Sequence, residues 1–360
     1  MKQLLKDIKA LWRCNWLFKG ASLYLFLLFI LVLVLPWLPL PYEPNYLDLS
    51  NTFLPPLTQQ AIWSNHILGT DGLGRDLLAN LLYGARSALF ISIPVMAVAT
   101  TLGLGIGTGA GFYADKGLRL PRHLILLVMV GLAAMGYYGI LLPAQITKLD
   151  LSYTYMALSW GVLFAAVLLV YSLSRLLSRF GYWKKSLPIP IDWLVLRCLE
   201  GINTIPGFVL ILVLAAFMPP SVPLLAVLLI LTSWPASARL ARAEMLRVKQ
   251  LPYFEAARSI GTPPKLLIWK HALPNLLGPV LVVFTYGLGG ILTLESTLSF
   301  LNIGLPSSFV SWGRTISNIR TNTSAWWLVA LPGGFLTLTV LAIYTCSYLL
   351  TKNLNFKRGN

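Results

Sequence analysis

The sequence predicts an all-α fold: a polytopic transmembrane helical bundle of about eight spans, with the N and C termini cytoplasmic. Three observations carry that expectation. Hydrophobic residues fill 57% of 360 positions and charged residues only 11%, against roughly 45–50% and about 25% in soluble domains, and mean hydropathy is +0.73. Apolar runs recur at lengths that cross a ~30 Å hydrocarbon layer. Lys and Arg number 28 against 12 Asp and Glu, and they collect in alternate loops, as the positive-inside rule demands. Disordered, fibrous and nucleic-acid-binding chains are excluded, so the lipid bilayer is an expected partner and nucleic acid is not.

Residues 1–21, beginning MKQLLKDIKALWRCNWLFK, read as a basic amphipathic N-terminal arm. The run 22–40 has the charged start of a signal peptide. It is longer than a typical signal core and ends in Leu35-Pro36-Trp37-Leu38-Pro39, where a cleavage site requires small residues. It is therefore expected to stay as the first transmembrane helix. An outer loop follows over 41–86. Further apolar runs at about 87–113, 123–145, 155–177, 199–218, 222–238, 277–300 and 326–350, each bounded by charges, prolines or glycines, complete the eight. A long inner loop is expected at about 239–276 and a short tail at 351–360.

With the N-terminus inside, 23 of the 28 basic residues fall in the arm, the loops 114–123, 174–198 and 239–270, and the tail. Only Arg75, Arg86, Lys148, Arg314 and Arg320 fall outside. The net charge of +16 is thus a topology signal. Long loops usually carry function, so the outer and inner loops are the places to look for it.

Chemistry of the ordinary catalytic kinds is not expected. The sequence has no Gly-x-x-x-x-Gly-Lys-Ser/Thr phosphate loop, and Gly103-Leu104-Gly105-Ile106-Gly107 lies inside an apolar run where it serves close helix packing. Cys14, Cys198 and Cys346 show no ligand spacing, and His66, His123 and His271 are far apart in sequence. No metal, no cofactor and no enzyme active site is expected in the chain.

The inner loop carries EAARSIGTPPKLLIWKHALPN, Glu255 to Asn275. Glu255-Ala256-Ala257 starts a short helix with a small-residue face, Gly261 permits a reversal, and Thr262-Pro263-Pro264 sets the next helix start. Pro274 is read as the end of the second helical turn. The segment resembles the EAA loop of bacterial ABC importer permeases, from Glu255, Ala256 and Ala257 through Gly261 to His271, Leu273 and Pro274. The His-x-Leu-Pro-Asn form is that of the dipeptide, oligopeptide and nickel branch. The resemblance implies a coupling helix seated on an ATP-binding subunit, with a mechanical role for these residues.

The outer loop carries HILGTDGLGRDLLANLLYGARSAL, His66 to Leu89, which is similar to a segment of the second, C-type permease of the same importers. Its motif residues here are His66, Gly69, Thr70, Asp71, Gly74, Arg75 and Asp76. Glycine turns around an opposite-charge set suit a folded outer loop, either as a structural turn or in contact with substrate. A third match is ESTLSFLNIGLPSSFVSWG, Glu295 to Gly313, with Asn302 where the family has glycine. A carboxylate such as Glu295 near the outer end of a span is expensive unless it faces protein or a water path. Two readings follow: Glu295 lines the pathway or gate, or it pairs with Arg314 or Arg75.

The resemblance covers about 1–115 and 190–350. It implies a transmembrane permease domain over 87–350: a six-span core, with two inserted helices at about 119–188 that delay the family's Asp-x-x-x-x-Arg helix to Asp192 and Arg197. It further implies a homologous second permease, two ABC ATPase subunits that bind ATP and Mg, and a periplasmic or lipid-anchored solute-binding protein. The location implied is the bacterial inner membrane, the role alternating access for peptides or related small solutes. The usual Gly-Asp-x-Leu-Arg-Asp ending is replaced by Cys346-Ser347-Tyr348-Leu349-Leu350-Thr351-Lys352-Asn353. The rival readings are a secondary transporter, which predicts several intramembrane carboxylates where only Glu295, Glu200 and Asp192 come near, and an orphan paralogue without ATPase partners.

Overall fold

The computed structural model describes residues 11–12, 15–115, 117–149 and 152–356. Most of the predicted N-terminal arm (1–10, 13 and 14) and the end of the tail (357–360) lie outside the described residues. The remainder is predominantly helical, with seven helices long and apolar enough to cross a membrane, or eight if one bent pair counts as a span.

The chain divides into two compact units: one of residues up to Phe112 and from Val195 onward, the other Tyr113–Leu194. In the first, α1 spans Trp16–Val34 and begins where the Asn15 side chain accepts from Leu17 N and Phe18 N. It starts six residues before the predicted span, because an N-cap and not the onset of apolarity sets where backbone hydrogen bonding begins. A 3₁₀ turn at Leu35–Trp37 ends it, and the chain enters the outer loop with its one-turn helix α2, Gln59–Trp63. Helix α3 covers Leu77–Tyr113, so the last ten residues of the predicted outer loop are helical. The cause is local: Asp76 Oδ2 accepts from Ala79 N at 2.8 Å, capping the helix ahead of its apolar stretch.

The second unit opens with strand β1, Leu118–Pro121, then α4, Arg122–Lys148, and α5, Tyr153–Leu177. Helix α4 passes through a π-helical stretch at Met135–Leu141. A short helix α6, Gly181–Lys184, leads to strand β2, Ser186–Ile189. The strands pair antiparallel, with Leu118 opposite Ile189 and Pro121 opposite Ser186. This ribbon is the departure from an all-α expectation. Its prolines disguise it, because proline lacks the ladder N–H and argues against a strand.

After the ribbon, α7 (Ile191–Thr204) and α8 (Gly207–Ala216) stand at 72° to each other. The predicted continuous run at 199–218 is therefore broken. Pro206 supplies no N–H and disfavours helical geometry at Ile205. Helix α9, Val222–Val248, extends ten residues into the predicted inner loop; α10 is Pro252–Ser259. Helix α11 runs continuously over Pro264–Phe300, so Pro274 does not end it; a π-helical turn at Leu267–Ala272 precedes that proline instead. The inner loop is thus almost wholly helical: hydropathy marks where charges begin, not where hydrogen bonding stops. A one-turn helix α12, Trp312–Ser317, precedes α13, Trp327–Phe356, which takes up part of the predicted tail.

Four buried clusters organise the first unit, the smallest joining Leu77 to Ala325, Trp327 and Leu328. Ile91, Val95 and Met96 of α3 meet Ile211 of α8, Leu225 and Leu229 of α9, and Ile291 of α11. Leu28 and Val32 of α1 meet Leu81, Ala85, Trp312 and Ile343. At the inner loop, Met245 and Val248 meet Phe254, Ala257, Leu267 and Leu276. Lipid is as apolar as these side chains, so their association rests on close packing.

Candidate functional site

The inner loop is built around a stop signal. Helix α10 ends at Ile260 with Gly261 at φ 80°, while Gly261 N bonds Arg258 O at 3.0 Å and Thr262 N bonds Ala257 O at 3.3 Å. These two bonds make a Schellman motif, which needs a left-handed residue after the cap. Pro264 then opens α11. Phe254 and Ala257 face inward and are buried, whereas Glu255, Ala256 and Gly261 are exposed. Ile260 is 83% exposed and Trp269 70%, leaving an apolar rim around the small residues.

The loop is tied to the rest of its unit. Lys249 Nζ donates to Gly111 O at 3.1 Å and Phe112 O at 3.0 Å, bonding the last carbonyls of α3 where cations favour a helix dipole. Asn275 Nδ2 donates to Tyr253 Oη and to His271 O, both at 2.8 Å. His271 thus contributes its carbonyl to the loop's closure. Leu273 is half-buried and Pro274 exposed. Lys249 and Phe254 were not singled out from sequence, although Phe254 sits beside the motif and its helical spacing to Ala257 marks the buried face.

The outer loop folds against the other end of α3. His66 is fully buried, with Nδ1 3.0 Å from Asp76 Oδ1 and Nε2 3.5 Å from Asp48 Oδ2, and Tyr42 stacks on its ring at 4.1 Å between centroids. Asp71 accepts from Leu73 N and Arg75 N at 2.9 Å through Oδ1, and from Asn318 Nδ2 at 2.9 Å through Oδ2. Thr70 accepts from Leu54 N at 2.9 Å, and its carbonyl accepts from Trp327 Nε1 at 3.1 Å. Gly69 and Gly74 both take positive φ. At Gly74 a Cβ would fall 1.7 Å from Asp48 O, so glycine is required there twice over. His66, Asp71 and Asp76 are consumed in holding the loop together, whereas Arg75 Nε is buried without a hydrogen-bond partner; Asp48 completes the set that sequence reasoning began at His66. Hydrogen bonds from Asn51 and Ser50 hold the Asp48 carboxyl at about 2, below the usual range.

Glu295 forms no ion pair within 4 Å with Arg314 or Arg75. It is 1% exposed, with Ser299 Oγ and Ser311 Oγ each donating to Oε1 at 2.8 Å and Ser296 Oγ to Oε2 at 3.3 Å. Arg314 instead donates to the carbonyls of Leu305, Pro306 and Phe309. Three hydroxyls donate to this buried carboxyl group. Asn302 adopts φ 59°, preserving the left-handed turn where the resembling motif has glycine.

A cavity of about 560 Å³ opens among α3, α8, α9 and α11, lined by Met96, Phe208, Thr232, Ser233 and Tyr286 among others. Glu295 does not line it. No group of three or more His, Cys, Asp or Glu fit to hold a metal occurs among the described residues.

Membrane-crossing helices, a cavity cut into their packed faces and an exposed helical turn inserted between two of them define the membrane-embedded subunit of a transport system. The chain belongs to the binding-protein-dependent transport system inner membrane component family, whose match covers residues 179–359; it is a multi-pass protein of the inner membrane. It is 27% identical over 324 residues to a putative peptide transport system permease protein of Brucella suis biovar 1, covering 89% of this chain and 82% of that protein. It is 25% identical over 333 residues to a probable D,D-dipeptide transport system permease protein of Escherichia coli strain K12, covering 91% and 85% respectively.

Proposed function

We propose that the chain is the permease subunit of an ATP-driven importer of peptides or related small solutes, and that α10 with its Gly261 turn is the lever through which ATPases drive alternating access. The observation that carries this reading is the division of α10 into two faces. Phe254 and Ala257 lock it to α9 and α11, while Glu255, Ala256 and Ile260 stand free to meet a partner. A rigid lever requires both: an anchored side that transmits force and a bare side that receives it. Lys249 extends the anchorage to the end of α3, which also lines the cavity. The peptide class is supported by the relatives, whose names carry it.

In this reading a homologous second permease closes the cavity's open side, and two ABC ATPases holding ATP and Mg seat on the two coupling turns. A periplasmic or lipid-anchored solute-binding protein delivers solute to the outer end. The orientation with both termini cytoplasmic rests on the positive-inside asymmetry. Gentle detergent extraction of the tagged chain, with mass spectrometry of what accompanies it, tests the assembly: a second permease and P-loop ATPases are expected, and Glu255→Arg is expected to release the ATPases selectively. A chain that extracts alone or as a homo-oligomer refutes it. Gly261→Val meets nothing within 4 Å but is strained at φ 80°; it is expected to leave the chain in the membrane while distorting the turn, and so to separate ATP hydrolysis from uptake.

A further inference from the structure

Within the unit Tyr113–Leu194, surface chemistry sorts by end. The shafts of α4 and α5 are apolar and little covered: none of the most apolar window of α4 and 17% of that of α5 is buried by protein. One end of this pair holds Arg119, Arg122, Arg175, Arg179, Lys184 and Lys185, whereas Lys148 is the single basic residue at the other. The ribbon gathers these cations. Arg122 N donates to Lys185 O at 3.3 Å, and the Arg122 guanidinium lies 4.1 Å over the Tyr182 ring. His123 Nδ1 donates to Trp183 O at 3.1 Å, and Ser174 Oγ donates to His123 O at 3.4 Å, bringing the end of α5 to the same place.

None of the six cations forms an ion pair with a carboxylate among the described residues. Asp115 accepts instead from Trp193 N at 3.0 Å. Phe180 is 59% and Tyr182 64% exposed beside the cations, the aromatic placement favoured at a headgroup level. We propose that this end of the unit is a binding surface for anionic phospholipid headgroups. Such a lipid supplies both things the unit lacks: phosphate for guanidinium and ammonium groups that have no carboxylate partner, and acyl chains for the bare shafts directly above them. An acidic soluble protein would meet the charges and leave the shafts uncovered. Each cation near an anionic surface adds to the attraction.

The test uses the full chain in mixed micelles containing phosphatidylglycerol and phosphatidylcholine with the same acyl chains, read by native mass spectrometry of retained lipid. The expected result is retention of phosphatidylglycerol over phosphatidylcholine by about tenfold, lost towards parity in Arg122→Gln/Arg179→Gln/Lys184→Gln/Lys185→Gln. Should that variant fail to fold, Lys184→Gln/Lys185→Gln on the exposed α6 is expected to lower the preference several-fold. Parity in the unaltered chain, or a preference that survives the removed charges, overturns the proposal. So does release of phosphatidylglycerol by millimolar inorganic phosphate, or retention of an acidic protein in place of lipid.

Discussion

Helices α3 and α4 are about equally apolar, yet 44% of the most apolar window of α3 is buried by protein and none of that of α4. Small residues at matching steps separate them. Cβ atoms at Gly103, Gly107 and Gly111 would lie 2.6, 2.2 and 2.9 Å from their nearest neighbours, on Ser237, Ala238 and Arg242 of α9. At Gly131 and Gly136 of α4, nothing lies within 4 Å. Apolarity decides that a segment enters a bilayer; the absence of side chains at a recurring step decides which neighbour it can touch. Helix α3 is packed by protein along one face, whereas α4 is left bare by protein over its most apolar stretch.

The comparison breaks most directly at one pair of glycines. Gly107→Leu must push α3 away from α9 and is expected to cost about 3 kcal/mol, whereas Gly161→Leu in α5, with open space around it, is expected to stay within about 0.5 kcal/mol. Thermal unfolding of the two purified variants by size-exclusion fluorescence reads the difference, and equal losses would refute the contrast between the units. A smaller effect is expected for Glu295→Ala, which strands the hydroxyls of Ser296, Ser299 and Ser311 without their acceptor, at about 1–3 kcal/mol. Ser159→Ala in α5 removes a single bond, to Tyr138 O at 2.6 Å, and is expected to cost about 1 kcal/mol. The same unfolding assay ranks them.

The smallest effect concerns the outer loop. The Asp48 carboxyl is held at about 2, below its value of about 3.9 in an unfolded chain. A depressed folded-state value contributes stability that is fully present above the unfolded value and is lost as pH falls through the folded one. The loop is therefore expected to lose stability between about pH 4 and pH 2, and Asp48→Asn is expected to flatten that dependence. Proteolysis of the outer loop across this range, with an acid-stable protease, checks it; an unchanged profile in the variant counts against the assignment.

Much of the bundle was legible because runs of Leu, Ile and Val leave a signal of their own. Helix ends were not, since Asp76 and Asn15 cap their helices outside the apolar stretches. The break at Pro206 was readable in principle, as the residue before a proline resists helical geometry. The turn after α10 was legible to the residue at Gly261, because a left-handed C-cap has a chemical signature. The environment of Glu295 was half legible: Ser299 lies four residues on, on the same helix face, and Ser296 is its chain neighbour, whereas Ser311 arrives from beyond a loop that only folding brings back.

The length of α3 has a further consequence. Its 37 residues rise roughly 55 Å, some 25 Å more than the hydrocarbon layer needs. Even strongly tilted, such a rod outreaches the acyl region at both ends. The loop capped by Asp76 and the turn tied through Lys249 stand at opposite ends of this long rod. A helix of this length has residues to spare against hydrophobic mismatch, which bends or sorts helices of ordinary length.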